Sequence, residues 1–245
     1  EGGKSVRSTG RLDYHYDLPN GGTAFARLWA QYYYLSLFTN FTFFLNDPVN
    51  GDGIEQTDRR WLTGSDIGYR QIFRLLDYEG TMTAGLQTRF DKIQVRLGTQ
   101  QKRSSLAITQ ESDIFEASYS PYLKLDLQFL PWLRFVGGGR VDVFTYNVND
   151  RCGTGCSVRP DGTASDVIAS GKANVIFGPW ARTEFFMNVG TGFHSNDARD
   201  VVMKSSATTL PRAIGYELGI RSKPWTWAEF LATFWLLDLQ SELVF

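Results

Sequence analysis

Apolar and polar side chains alternate along most of this chain with a period of two. From Asp113 to Phe129 one face carries Phe115, Ala117, Tyr119, Pro121, Leu123, Leu125, Leu127 and Phe129, and the other carries Glu116, Ser118, Ser120, Tyr122, Lys124, Asp126 and Gln128. Successive side chains of a strand point to opposite faces, so the pattern predicts a strand that is greasy on one side and wet on the other. The same reading holds where Phe135, Val141 and Val143 alternate with Arg134, Arg140 and Asp142, and where Ile214, Tyr216, Leu218 and Ile220 alternate with Gly215, Glu217, Gly219 and Arg221. Val6, Leu12, Tyr14 and Tyr16 oppose Arg7, Arg11, Asp13 and His15, while Phe185, Met187, Val189 and Phe193 oppose Glu184, Phe186 and Asn188. Between Met82 and Leu97 the phase slips near Asp91, which predicts a β-bulge there. Trp227 to Leu239 is apolar on both faces, so periodicity does not orient it.

About ten strands are predicted, and the lengths of their connections alternate. Asp17 to Gly22, Leu75 to Glu79, Leu130 to Trp132, Gly178 to Ala181 and Ser222 to Thr226 are short, with Pro, Gly and Asp prominent. Between them lie long polar stretches: Asn46 to Arg60, Thr99 to Ser112, Asn147 to Ser170 and His194 to Pro211. Short turns at one end and long loops at the other are the signature of an antiparallel up-and-down barrel of the outer membrane. A soluble sandwich or lipocalin-like barrel would also alternate, with the opposite lining, and the pattern cannot say which face is inside. Trp132, Trp180, Trp225 and Trp227 near predicted strand ends, as in an interfacial girdle, favour the membrane. The uncharged run Leu28 to Asn46 is long enough for a membrane helix, but its Gln, Asn, Ser and Thr among tyrosines and phenylalanines make strand the better assignment. In complete bacterial barrels both chain ends lie on the short-turn side. Here both point to the long-loop side, so further strands are expected before Glu1 and after Phe245, and Phe245 stands at the wrong end of its strand for a terminal aromatic.

Composition agrees: aromatics make up 15% of the 245 residues and glycine contributes 24, which suits aromatic strands joined by glycine turns. The formal net charge is −1 and no basic block occurs, so nothing draws nucleic acid. Cys152 and Cys156 sit in Cys-Gly-Thr-Gly-Cys, where the glycines let a small ring close. A disulfide is expected, because zinc would need two more ligands and His15 and His194 lie far off, and a disulfide implies an oxidising compartment.

The runs Leu37 to Gln56, Gly192 to Asp200, Leu210 to Arg221 and Leu236 to Phe245 together resemble the barrel of TonB-dependent outer-membrane receptors. The resemblance implies an all-β, antiparallel up-and-down transmembrane β-barrel segment of about ten strands, cut from a barrel of about 22. Residues 1–245 would then be one partial barrel domain, with no plug domain and no TonB box recognised in it. The implied function is energy-coupled uptake of a scarce nutrient, foremost a ferric siderophore or similar iron complex. Its partners would be outer-membrane lipid, the plug of the same full-length protein, the TonB complex and a small-molecule substrate, with no cofactor. A passive porin-like channel and an outer-membrane hydrolase remain the alternatives.

On this reading Arg70, Arg89, Glu116, Lys124, Arg140, Asp142, Glu184, Glu217 and Arg221, with Arg7 and Arg11, are expected to face the lumen, a plug or the substrate path. His194, Asn196, Asp197 and Arg199 are expected in an extracellular loop. His194-Ser195 invites a catalytic reading, but adjacent residues of a strand point apart and no Gly-x-Ser-x-Gly elbow exists, so no catalytic residue is expected. Asp47, Asn50, Asp52 and Glu55 only loosely approach a calcium loop and are expected to form a solvated turn, leaving no metal site. Gly137-Gly-Gly139 lies inside a strand and reads as close packing or curvature, not as a phosphate loop.

Overall fold

The computed structural model describes residues 1–75, 78–153, 156, 159–203 and 208–240; the final stretch with Phe245 lies outside the described residues. Among the described residues, ten antiparallel strands form one open sheet in chain order. They are β1 (Gly2–Asp17), β2 (Gly22–Thr39), β3 (Ile54–Leu75), β4 (Tyr78–Gln101), β5 (Ser104–Leu130), β6 (Leu133–Asp150), β7 (Gly162–Trp180), β8 (Thr183–Phe193), β9 (Arg212–Trp225) and β10 (Ala228–Leu239). One short helix, α1 (Ala198–Val202), lies between β8 and β9.

The two faces of the sheet differ in kind. Leu86, Phe115, Leu123, Val141, Met187 and Leu218 are exposed on one, while Asp58, Asp91, Ser118, Ser120 and Asp142 are buried on the other. On the polar face side chains reach over an intervening strand: the Tyr122 hydroxyl on β5 donates to Asp66 on β3 (2.9 Å), and Arg140 on β6 donates to Gln87 on β4 (3.1 Å). Such convergence marks the concave side of a curved sheet. The choice that periodicity left open is thereby closed: the wet face is inside and the apolar face outside, the lining of a membrane barrel.

Aromatic pairs bound the outer apolar band. At the short turns Trp132 stacks on Trp180 (6.1 Å between ring centroids), Trp225 on Trp227 (5.4 Å), and Tyr78 meets Phe129 edge-on (5.6 Å). Toward the other rim Tyr32 meets Trp61 (5.0 Å) and Phe90 meets Tyr119 (5.7 Å). From Tyr119 to Phe129 the strand advances about 34 Å at about 3.4 Å per residue, or roughly 26 Å in height at a tilt of about 40°, matching the apolar band of about 25 Å in outer-membrane barrels.

Four expectations need correction. No bulge occurs at Asp91: it pairs in unbroken register with Leu62 and Glu116, and the shifts in β4 fall instead at Leu97/Gly98 and Thr99/Gln100. The polarity swaps there because the inner positions above Asp91, Ile93 and Val95, pack under α1, while the outer Lys92, Gln94 and Arg96 have passed the apolar band. The stretch Thr99 to Ser112 is mostly strand, with Lys102 and Arg103, both at positive φ, forming a two-residue hairpin turn. The uncharged run around Tyr32 leaves the sheet at Thr39, so Phe41 to Leu45 belong to a loop. The connection between β6 and β7 likewise shrinks to residues 151–161. Pairing also orients β10: Glu217 faces Trp235 and Gly215 faces Leu237, which puts the odd-numbered residues of β10 inside.

Candidate functional site: the polar inner wall and the folded-in loop

Strand parity and register assemble the wall. Arg89, Glu116, Lys124, Arg140, Asp142, Glu184, Glu217 and Arg221 all share the concave face, as do Arg7 and Arg11 on β1 and Arg70 on β3. Many of these charges are spent within the sheet. Residues two apart on a strand share a face, so an arginine can fold along it onto a carboxylate. Arg89 Nε reaches both oxygens of Asp91 (3.0 and 2.9 Å), Arg140 Nε reaches both of Asp142 (3.0 and 2.9 Å), and Arg60 Nε reaches Asp58 (2.7 Å). Arg11 is paired in the same way with Asp13 (2.6 Å). Asp142 is fully enclosed (0% exposed) and accepts a further bond from the Ser120 hydroxyl (2.6 Å). Arg221 pairs across strands with Glu184, and Glu217 accepts from the Asn188 amide (2.8 Å).

Sequence reasoning missed several members of this network. Asp66 is held by Arg27 (3.0 Å) and Tyr122, and neither Arg27 nor Asp66 had been singled out. Their signal was the pairing Arg27↔Asp66, which only the register supplies. Lys172, two residues past the expected Asn147–Ser170 connection, faces Gly138 well inside β7.

Near the rim of the long connections the wall turns apolar. Ile93, Ile114, Tyr146 and Val148 form a buried patch against which Ala198 and Val201 of α1 pack. The loop therefore folds inward over the lumen. His194 and Asn196 are tied back by their amides to Pro211 (3.3 Å) and Thr209 (3.1 Å). Asp197 caps α1 by accepting from the Arg199 amide (2.9 Å), and also holds the Arg199 guanidinium (2.9 and 2.6 Å). Desolvation pushes the Asp197 carboxyl up, but the Arg199 hydrogen bonds and charge outweigh it and leave the group below its usual range. No described hydrogen bond joins His194 to Ser195.

Cys152 and Cys156 are disulfide-bonded with Cα atoms 6.1 Å apart. Asp150 orders that loop, accepting from the Cys152 amide (2.9 Å) and from Arg159 (2.6 Å). In the β2–β3 loop Asp52 accepts from Thr42 (2.7 Å) and from the amides of Asn46 and Asp47, while Asp47 accepts from the amides of Val49 and Asn50. These carboxylates are committed to turn geometry, and among the described residues no group of three or more metal-ligating side chains comes together.

A sequence profile described as "TonB dependent receptor-like, beta-barrel" matches residues 2–245. The chain belongs to that family. It is a family of receptors and transporters of the bacterial outer membrane. A comparison with curated proteins gives no match. Among solved structures, the barrel is similar to the ferric citrate transporter FecA in its unliganded form (TM-score 0.79, 13% identity, covering 96% of this chain and 34% of that one). It is also similar to the ferripyoverdine receptor of Pseudomonas aeruginosa bound to ferripyoverdine (0.74, 13%, 94% and 32%). A third is the siderophore receptor PiuA from Acinetobacter baumannii (0.72, 11%, 94% and 40%). The chain thus spans between about a third and two fifths of the length of these TonB-dependent receptors.

Proposed function

We propose that this chain is part of the wall of an outer-membrane importer, energised through TonB, whose cargo is an iron complex of the siderophore class. The observation that carries the reading is the match of the family's barrel across residues 2–245, supported by a sheet that turns its charges inward and its aromatics outward. In the whole receptor the inner wall would stand against the plug and along the path of the cargo, and the folded-in α1 loop would narrow the outer mouth. Within the wall, Arg70, Lys124 and Glu217 keep charge outside any ion pair among the described residues, so they are the positions we assign to contact with plug or substrate. Ferric citrate, a siderophore and ferripyoverdine are the cargoes named for the three similar structures.

The test is accumulation of radiolabelled iron, from a panel of ferric siderophores, by iron-starved cells that carry or lack the full-length gene. Uptake that needs both the receptor and a working TonB is expected. Uptake that persists without TonB would replace this reading by passive diffusion.

A further inference from the structure

The internal pairing leaves a residue of one sign. Arg70 faces Thr83, Thr83 faces Lys124, Lys124 faces Gly138, and Gly138 faces Lys172, so three cations lie on a single row of the inner wall. Each stands two strands from the next, about 10 Å at about 4.8 Å per strand. No salt bridge or side-chain hydrogen bond ties Arg70, Lys124 or Lys172 to another described residue, in contrast to the arginines nearer the rim.

The row borders a hollow. A cavity of about 430 Å³ opens between these three side chains; Arg27 and Arg140 also line it but are paired with Asp66 and Asp142, and among the described residues Asp66 is the only carboxylate in the lining. Asp66 is already neutralised by Arg27 and hydrogen-bonded by Tyr122. Gly138 places no side chain between Lys124 and Lys172, and has no room for one: a Cβ there would lie 2.8 Å from the Leu123 carbonyl oxygen. The Ser170 hydroxyl is closed off from solvent, has no hydrogen-bond partner among the described residues, and belongs to a residue of the same lining. A concave site lined by one sign of charge concentrates the opposite sign, and Lys/Arg rings are what anion- and phosphate-selective pores present. The volume is that of a small-molecule site.

We propose that this row is an anion-binding step on the inner wall, taking a small solute that bears several carboxylate or phosphate groups. The proposal rests on the importer reading and sharpens it, since it makes the cargo, in its passage, an anion held by lysine ammonium groups and the Arg70 guanidinium. Lysine suits a step of this kind, because a mobile point charge grips an anion without the fixed bidentate geometry that would retain it.

The test is calorimetric titration of purified full-length receptor with trimesate, a rigid tricarboxylate, and with its neutral triamide. Trimesate is expected to bind and the triamide not to. Lys124→Gln and Lys172→Gln are each expected to weaken trimesate at least about tenfold, the loss of one charged hydrogen bond. Raised salt should weaken it further, and the outward-facing Lys92→Gln should leave it unchanged. Trimesate binding that is absent, or equal in all variants, overturns the proposal, as does a loss traced to a plug loosened to protease. The iron-uptake assay keeps the two readings apart. A receptor that binds trimesate as stated but imports no iron retains the anion site without the import reading; one that imports iron with an unaltered affinity in Lys124→Gln and Lys172→Gln retains import without the anion site.

Discussion

Asp197 shows how much a single side chain decides. It accepts the Arg199 amide at the start of α1 and binds the Arg199 guanidinium, so the five residues of α1 have a cap as well as an apolar underside in Ala198 and Val201. Losing an N-cap costs about 1 kcal/mol. Asp197→Ala is expected to raise hydrogen exchange at Val201 and Met203, whose amides bond within this turn, without changing exchange in β4 or β5. The pH dependence follows from the lowered carboxyl. A depressed acid stabilises the fold above its unfolded value of about 3.9 and loses that contribution as pH falls through its folded value. Protection at Val201 should therefore hold down to about pH 4 and fall below it, and Asp197→Asn, which keeps a capping oxygen, should remove most of the pH response. The sequence held the signals for this turn: an Asp at the cap and Ala198 and Val201 three apart. A five-residue helix is too short for periodicity to raise above a polar loop.

Strands were the legible elements, and only between the girdles. There one face meets lipid and the other water, so alternation is enforced, and Asp113 to Phe129 reads directly as the two faces of β5. Above the band both faces meet water or a folded-in loop, the constraint vanishes, and β4 and β5 continue through residues that read as loop. The same loss of constraint turned the polarity swap above Asp91 into an apparent bulge. Orientation of β10 lay in its pairing partner, which no local pattern encodes. The asymmetry of the faces is measurable. Leu123 is exposed on the outer face close to mid-band, and an arginine at such a depth costs about 2–4 kcal/mol. Asn174, on the inner face between Val136 and Asn188, should accept the same change for less than about 1 kcal/mol. Denaturant titration of the full-length receptor in lipid vesicles is expected to separate Leu123→Arg from Asn174→Arg by that difference; equal costs would mean that the faces are assigned wrongly.

Across the whole wall, the charges are of two kinds, and a plug can bind only one of them. Inner-face charges of both signs suit a surface that docks a plug by ion pairs. The register shows that Arg140 already serves Asp142 and Gln87, while Glu217 has only the Asn188 amide among the described residues. Reversing the two should therefore have different effects. Arg140→Glu strands the fully enclosed Asp142 carboxylate beside a second negative charge, and breaking a buried pair costs about 3–5 kcal/mol, so the receptor should melt earlier whatever the plug does. Glu217→Lys breaks no ion pair and should fold normally, which makes it the informative variant for plug docking. If the plug leans on this part of the wall, full-length Glu217→Lys receptor in planar bilayers should leak ions more than the wild type at unchanged melting temperature. Wild-type conductance together with wild-type iron uptake would mean that Glu217 is only wetted lining, and the docking role would then pass to the unpaired cations of the lower row or to no residue of this wall.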